Sequence, residues 1–188
     1  APAVVRPGLA LVVSPLISLM KDQVDTLVGN GVPAAVYNSS LSSDEKAVVL
    51  EGLRESRFKL LYVSPERLVG EGSDRFLARV APSIGFVAVD EAHCISQWGH
   101  DFRPEYRQLG RLRALLPGVA MHGYTATATA RVRRDIVLQL GLDNPTELVG
   151  SFDRPNLLYR VLPRATLKRQ LQEVLERHRH EAGIIYCT

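Results

Sequence analysis

Ile84-Gly85-Phe86-Val87-Ala88-Val89-Asp90-Glu91-Ala92-His93 is the stretch on which the reading of this chain turns. Its first six residues are almost wholly apolar and rich in β-branched side chains, which reads as a strand buried on both faces. Two adjacent carboxylates follow at the strand's carboxyl end. A nucleotide-hydrolysing site needs such a pair, one carboxylate to hold Mg²⁺, usually through water, and the next to polarise the attacking water. Asp90 is assigned to the metal and Glu91 to the water, and His93 completes the catalytic D-E-A-H word. The plainer alternative is a helix N-terminus, where the macrodipole favours acidic residues. A position directly behind a buried strand favours the site.

Outward from this stretch, short apolar runs alternate with amphipathic ones. Leu9 to Val13 reads as a buried strand ended by Ser14-Pro15, and Leu16 to Val28 as a helix with Leu16, Leu19, Met20, Val24 and Leu27 on one face. Asn30-Gly31 closes that helix. Ala34 to Tyr37 is a second short strand, and Ser42-Ser43-Asp44-Glu45 has the form of a capping box opening a helix to about Arg54. Leu60 to Val63 is a third strand, again followed by Ser-Pro, at Ser64-Pro65. Beyond the D-E-A-H word come an irregular aromatic segment to about Tyr106, a helix over Gln108 to Leu116, a strand over Ala120 to Tyr124, and a helix capped by Thr129 that runs to Leu140. This alternation predicts an α/β fold, a parallel sheet with helices on both faces and ligands at the carboxyl ends of the strands. The pattern thins at Leu142 to Pro145, which puts a domain boundary near residue 150. A strand (Leu157 to Leu162), a helix (Leu167 to about Arg177) and an apolar run (Gly183 to Cys187) open a second unit.

Composition bounds the class without deciding it. Hydrophobic residues make up 46% of the 188 and charged residues 23%, as in an ordinary globular chain. No apolar run approaches the roughly 20 residues of a membrane span. Two cysteines, Cys94 and Cys187, are too few for a disulfide framework and read as reduced thiols in a cytosolic protein. The five histidines lack metal-ligand spacing. The net charge of +3 is only mildly basic, and of the 23 basic residues 19 are arginine, whose planar fork suits phosphates and bases. The N-terminus carries no initiating Met and reads as the middle of a longer chain.

Three further clusters carry chemistry. In Cys94 to Tyr106 the chain's one tryptophan, Trp98, stands with Phe102, Arg103 and Tyr106 on an irregular segment, a candidate platform for unpaired bases; large aromatics that merely pack the loop down are the alternative. Ser14-Pro15-Leu16 and Ser64-Pro65-Glu66-Arg67 each end a strand with a hydroxyl and free N–H groups at a helix start, a cradle for phosphate or a simple turn. Thr125-Ala126-Thr127-Ala128-Thr129 offers hydroxyls to the D-E-A-H carboxylates.

Asp90 through Tyr106, D-E-A-H-C-I-S-Q-W-G-H-D-F-R-P-E-Y, resembles the nucleotide-hydrolysis motif and adjoining aromatic-rich loop of RecQ-family helicases within superfamily 2. Val13 to Gln23 is similar to that family's first DNA-contacting motif, Tyr62 to Arg67 to its second, and Thr125 to Thr129 to its third, with Thr125 and Thr127 joining the catalytic set. Phe152 to Leu157 and Ile184 to Cys187 look like the opening of its second RecA-like domain. The resemblance implies a first RecA-like domain over 1–150 and the start of another over 151–188. It also implies ATP and Mg²⁺ as cofactors, single-stranded and duplex DNA as partners, and 3′ to 5′ unwinding in repair and recombination. The location implied is cytoplasmic, at the nucleoid if bacterial. It gives a DNA-sensing role to Trp98, Phe102 and Arg103, with Gln97 and His100 as lesser candidates.

One departure from the family is large. A phosphate-gripping loop needs G-K-[ST], and none of the four lysines (Lys21, Lys46, Lys59, Lys168) follows a glycine. The first strand and its loop are therefore expected to be missing, with a gap in the sheet, exposed apolar edges and an inactive fragment. A non-catalytic module binding single-stranded DNA is the alternative function, and an RNA helicase of the same superfamily a further one.

Overall fold

A computed structural model describes residues 2–151 and 154–186 of the chain. The expectations for Phe152, Asp153 and Cys187 lie outside the described residues. The chain divides into two compact units, Ala1–Thr146 and Glu147–Thr188.

Five strands form the sheet of the first unit: β1 (Leu9–Val13), β2 (Ala34–Tyr37), β3 (Leu60–Val63), β4 (Ile84–Val89) and β5 (Ala120–Gly123). All pairs are parallel and the order is β2-β3-β1-β4-β5. The expected gap is not there. Hydrogen bonds run without interruption from β2 to β5. β5 forms one edge, partnered only by β4, and its residues are half-buried or exposed. The strands are short apolar runs because both faces are covered, which leaves no reason for alternation.

Leu11, Val13, Leu61, Val63, Val87 and Val89 line one face of the sheet, and each is fully buried. That face takes α3 (Ser43–Arg54), α5 (Ser73–Val80) and α8 (Ala130–Gln139) through Leu53, Phe76, Leu77, Val132 and Ile136. The opposite face is thinner. It presents Ala10, Leu60, Phe86 and Ala88 to α1 (Pro2–Val5) and α2 (Ile17–Gly29) through Ala3 and Val24. Ser42 caps α3 as expected: its hydroxyl accepts from the Glu45 amide at 3.2 Å, and the Glu45 carboxylate accepts from the Ser42 amide at 2.7 Å.

Three expectations are corrected. The helix expected over Gln108 to Leu116 is a 3₁₀ turn, Gln108–Arg111, running into one helical turn, Leu112–Leu115 (α7). Gly110 sits where any Cβ would run into the Gln139 carbonyl oxygen, so this segment is shaped by its contact with the end of α8. Two short helices not expected from the sequence, α4 (Pro65–Val69) and α6 (Pro104–Arg107), begin at prolines, which suit a first helical position. In the second unit, Leu157 to Leu162 forms no strand. Tyr159 and Val161 are 89% and 94% exposed, and an apolar run without a partner strand has nothing to complete its ladder. The expected helix is present as α9 (Leu167–Arg177). Among the described residues no helix is long and apolar enough to cross a membrane.

Leu61 lies on the inner strand β3 with no exposed surface, flanked by β2 and β1. Leu61→Ala is expected to cost about 2–5 kcal/mol and Ser42→Ala about 1 kcal/mol, read from the midpoints of urea unfolding.

Candidate functional site

From β1 the chain moves out to β2 and back to β3, then crosses to β4 and β5 on the other side. The crevice at the carboxyl ends of β1 and β4 is therefore the switch point at which open α/β sheets take their ligands. The D-E-A-H segment starts there. The Asp90 amide donates to the Val13 carbonyl at 2.8 Å, extending the β1–β4 ladder by one rung. On the other side the Tyr124 amide donates to Val89 and the Ala92 amide to Tyr124, both at 2.8 Å. Asp90 and the residues after it are thus laced to β1 and β5 together. Below them Tyr106 is fully buried, and its hydroxyl donates to the Asp90 carbonyl at 2.9 Å. Burial pushes the Tyr106 phenol far above its ordinary range, so it stays a donor.

Glu91 has φ 47° and ψ 42°, a left-handed backbone held by a residue with a long side chain. Such a conformation costs on the order of 1–3 kcal/mol and persists only where its surroundings enforce it. They do so here: the Cys94 amide donates to the Glu91 carbonyl at 2.9 Å, and the Glu91 amide donates to Asp90 Oδ1 at 3.0 Å. The turn swings the Glu91 carboxylate toward His93, whose Nδ1 stands 3.3 Å from Glu91 Oε2 and 2.8 Å from Thr125 Oγ1. Thr125 Oγ1 accepts from the Thr127 amide at 3.1 Å and lies 3.4 Å from the Thr127 carbonyl, to which its proton goes. This arrangement assigns the imidazole proton to Nδ1, shared between Thr125 and Glu91. The Thr125 hydroxyl therefore reaches the carboxylates through His93 and not directly. Thr129 caps α8 as expected, accepting from the Val132 amide at 3.4 Å.

The aromatic segment wraps this core. Ala92–Ile95 is a 3₁₀ turn buried throughout, and Gly99 approaches so closely that a Cβ would lie 2.7 Å from the His93 carbonyl oxygen. Trp98 and Phe102 stand on the surface, 60% and 36% exposed, and do not pack the loop down. The guanidinium of Arg131 lies 3.3 Å from the centre of the Trp98 ring. His100 stacks on His93 with ring centres 4.4 Å apart. Arg103 holds Asp101 at 3.0 Å and the Pro15 carbonyl at 3.4 Å, so it joins the loop to the turn after β1. Cys94 is fully buried, and burial raises its thiol to about 11, which keeps it inert. Gln97 is exposed.

The two Ser-Pro turns are placed differently from the simple cradle. Ser14 and Ser64 are 0% and 2% exposed, and neither hydroxyl has a partner among the described residues. Pro65 is buried as well, whereas Pro15, Leu16 and Glu66 reach the surface. Arg67 turns inward, its guanidinium 5.0 Å above the Tyr37 ring and 3.3 Å from the Tyr37 hydroxyl. Tyr106, read from the sequence as one of the aromatics open to unpaired bases, is instead buried beneath Asp90. Arg131 was not singled out from the sequence; its one signal is an arginine in the first turn of α8, where the helix dipole disfavours a cation.

Burial lowers the affinity of His93 for its proton and His100 lowers it further, while Glu91 pulls the other way and does not prevail. His93 is thus neutral at pH 7 and is expected to titrate below the ordinary 6.5 in the folded chain. The unfolded chain takes up that proton at about 6.5. It binds more protons below this pH, so stability should fall as pH drops through 6. Imidazole NMR signals should show the depressed midpoint, and His100→Ala should move it upward. A His93 midpoint at or above 6.5 would count against this arrangement.

A sequence profile of the DEAD/DEAH box helicase family matches residues 4–136. Curated relatives include an ATP-dependent DNA helicase RecQ of Pasteurella multocida, 46% identical over 100% of this chain and 29% of that protein. That of Bacillus subtilis is 45% identical over 100% of the chain and 32% of the protein. ATP-dependent DNA helicase Q1 of Rattus norvegicus is 40% identical over 99% and 32%. The chain therefore spans about three-tenths of the length of these relatives. Among solved structures, the Pyrococcus furiosus Hef helicase domain superposes with a TM-score of 0.51 at 15% identity, over 75% of this chain and 28% of that one. Helicase MrfA, solved with DNA and AMPPNP, gives 0.51 at 13%, over 72% and 20%. At such identities the likeness concerns the fold alone, a RecA-like parallel sheet. The likeness to RecQ helicases runs the length of the sequence, and the chain belongs to the DEAD/DEAH box helicase family.

Proposed function

We propose that this chain is the part of a RecQ-type, ATP-dependent DNA helicase that carries the hydrolytic carboxylates and senses DNA, within a protein that unwinds duplexes 3′ to 5′ in repair and recombination. The observation that carries this reading is one continuous assembly. The D-E-A-H residues sit at the switch-point crevice, and a loop presenting exposed Trp98 and Phe102 is bound to them by His100 on His93 and by the close approach of Gly99. Residues 1–150 act as the first RecA-like domain and 151–188 begin the second. The site of action is the cytoplasm, at the nucleoid in a bacterium.

Mg²⁺ keeps most of its waters and takes one or two carboxylates beside the phosphates, and Asp90 beside Glu91 is a donor set of that kind. Asp90 is the residue to hold it, and its backbone is fixed at the end of β4 by Val13 and Tyr106. When bound, the ion offsets the charge of the ATP phosphates. Glu91, aimed by its left-handed backbone, orients the attacking water and takes its proton. His93 holds the Glu91 carboxylate and relays its position to Thr125, and Thr127 fixes Thr125. Unpaired bases stack on Trp98 and Phe102. Arg103 ties that contact to the Ser14-Pro15-Leu16 turn, and Ser64-Pro65-Glu66-Arg67 follows β3 at the start of α4. Gln97 and His100 flank the stacking rings. Duplex DNA meets the same face as it is parted.

In the intact protein that carries this segment, Glu91→Gln is expected to lower kcat for ATP by at least about 10²-fold with nucleotide binding kept. Unchanged turnover would sink the role of Glu91. Trp98→Ala should raise the DNA concentration for half-maximal stimulation about tenfold, in line with the loss of one stacked base, and should affect basal hydrolysis less. Equal losses would make the loop structural. Nucleotide turnover that RNA stimulates as well as DNA would point to the wider superfamily, and DNA binding with no turnover at all to a non-catalytic module.

A further inference from the structure

The side of Trp98 against α8 is occupied by a residue that neither the D-E-A-H word nor the aromatic segment contains. The Arg131 guanidinium carbon stands 3.3 Å from the centre of the indole ring, yet Trp98 remains 60% exposed. One face of the ring is therefore covered and the other is open. The backbone beneath it is fixed, because the Trp98 amide donates to Ser96 Oγ at 3.2 Å and the Gly99 amide to the Ser96 carbonyl at 3.0 Å. With the backbone held, only side-chain rotation remains to be settled, and Arg131 is the contact that settles it.

Arg131 is placed for this on its own account. It lies in the first turn of α8, which has no acidic residue and where a cation is opposed by the helix dipole. Among the described residues it makes no ion pair that would explain it. Its neighbour Val132 is buried at 3% exposure, which fixes the rotation of α8 and sends Arg131 to the surface beside the loop. Stacking on an indole is the one interaction that rewards a guanidinium here.

We propose that Arg131 is a positioning residue for nucleic-acid binding, holding the Trp98 ring from one side so that its free face meets an unpaired base. This rests on Trp98 being the stacking platform, as set out above. A base then completes a three-layer stack of guanidinium, indole and base, and binds a ring already ordered, which lowers the entropic cost of the contact. The stack also joins the loop to α8, whose cap Thr129 lies two residues beyond Thr127. The base, the loop and the Thr125–Thr127 pair that braces His93 are then mechanically continuous.

Trp98 is the only tryptophan of the chain, so its fluorescence reports the stack without interference. In the 188-residue chain without DNA, Arg131→Ala should shift Trp98 emission to the red and raise its quenching by acrylamide. Arg131→Lys, which keeps the charge and loses the planar fork, should fall between. Unchanged quenching in both variants would overturn the proposal. Binding of an oligothymidylate, titrated through the same emission, should weaken roughly three- to fivefold in Arg131→Ala, the size of an exposed cation–π contact. The slope of log K against log salt should stay that of the parent chain. A slope smaller by about one would mean a lost phosphate contact and would overturn the positioning role. Oligothymidylate that does not bind the unaltered chain would sink the DNA reading itself; binding that Arg131→Ala leaves untouched would sink this inference alone.

Discussion

The hydrogen bond from the Asp90 amide to the Val13 carbonyl, 2.8 Å long, is the constraint on which the rest of the crevice depends. It continues the parallel ladder of β1 and β4 one residue past the end of β4. That extra rung sets the height of Asp90 above the sheet and commits the backbone to turn at Glu91. The β4–β5 ladder is continued in the same way by Tyr124 onto Val89. With both flanks closed, Asp90 has no freedom along the strand direction, and the turn behind it must be tight. The left-handed Glu91 is the result, held from both sides by the backbone bonds of Asp90, Ala92 and Cys94. A site that must place a carboxylate within a fraction of an ångström has reason to hold that carboxylate on strained but enforced backbone.

From that turn the order propagates outward through a few contacts of different kinds. His93 is neutral because it is buried, with a second imidazole stacked on it, and its Nδ1–H serves both Thr125 and Glu91. Gly99 presses on the His93 carbonyl, and the Tyr106 hydroxyl supports the Asp90 carbonyl from below. The aromatic segment is therefore not a free loop attached at its ends. It is fastened at its start, its middle and its close to the D-E-A-H residues. Movement of the exposed rings has a short path to Glu91, made of packed atoms and hydrogen bonds.

How much of this the sequence carried depends on the range of the interaction. The strands and the α3 capping box were legible because burial on both faces and an N-terminal cap write themselves into neighbouring residues. The place of the D-E-A-H residues just past a buried strand was legible for the same reason, since strand end and carboxylate pair are adjacent in sequence. Contacts between distant segments were not. Nothing near Arg67 announces that it turns inward over Tyr37, thirty residues away, and nothing near Ser14 and Ser64 announces that their hydroxyls are buried. The Gln108 to Leu116 helix failed because Gly110 answers to Gln139, and the Leu157 to Leu162 strand failed because a strand exists only with a partner. Trp98 was visible as a residue type, but its pairing with Arg131 is a tertiary fact.

The charges of the loop explain why the rings are what it offers. Arg103 and Asp101 satisfy each other, with the pair drawing the Asp101 carboxyl below its usual range and the Arg103 guanidinium above its own. Arg103 also spends one N–H on the Pro15 carbonyl, so it has little left for a phosphate. Arg67 is engaged with Tyr37. The basic groups nearest the crevice are therefore employed in fixing the protein, in a chain whose net charge is only +3. A surface that neutralises many phosphates binds nucleic acid tightly and with a steep salt dependence. A surface that offers two exposed rings, one of them braced from behind, binds bases weakly and can let go. For a proposed motor that must release and re-engage its track at every step, the second arrangement is the useful one.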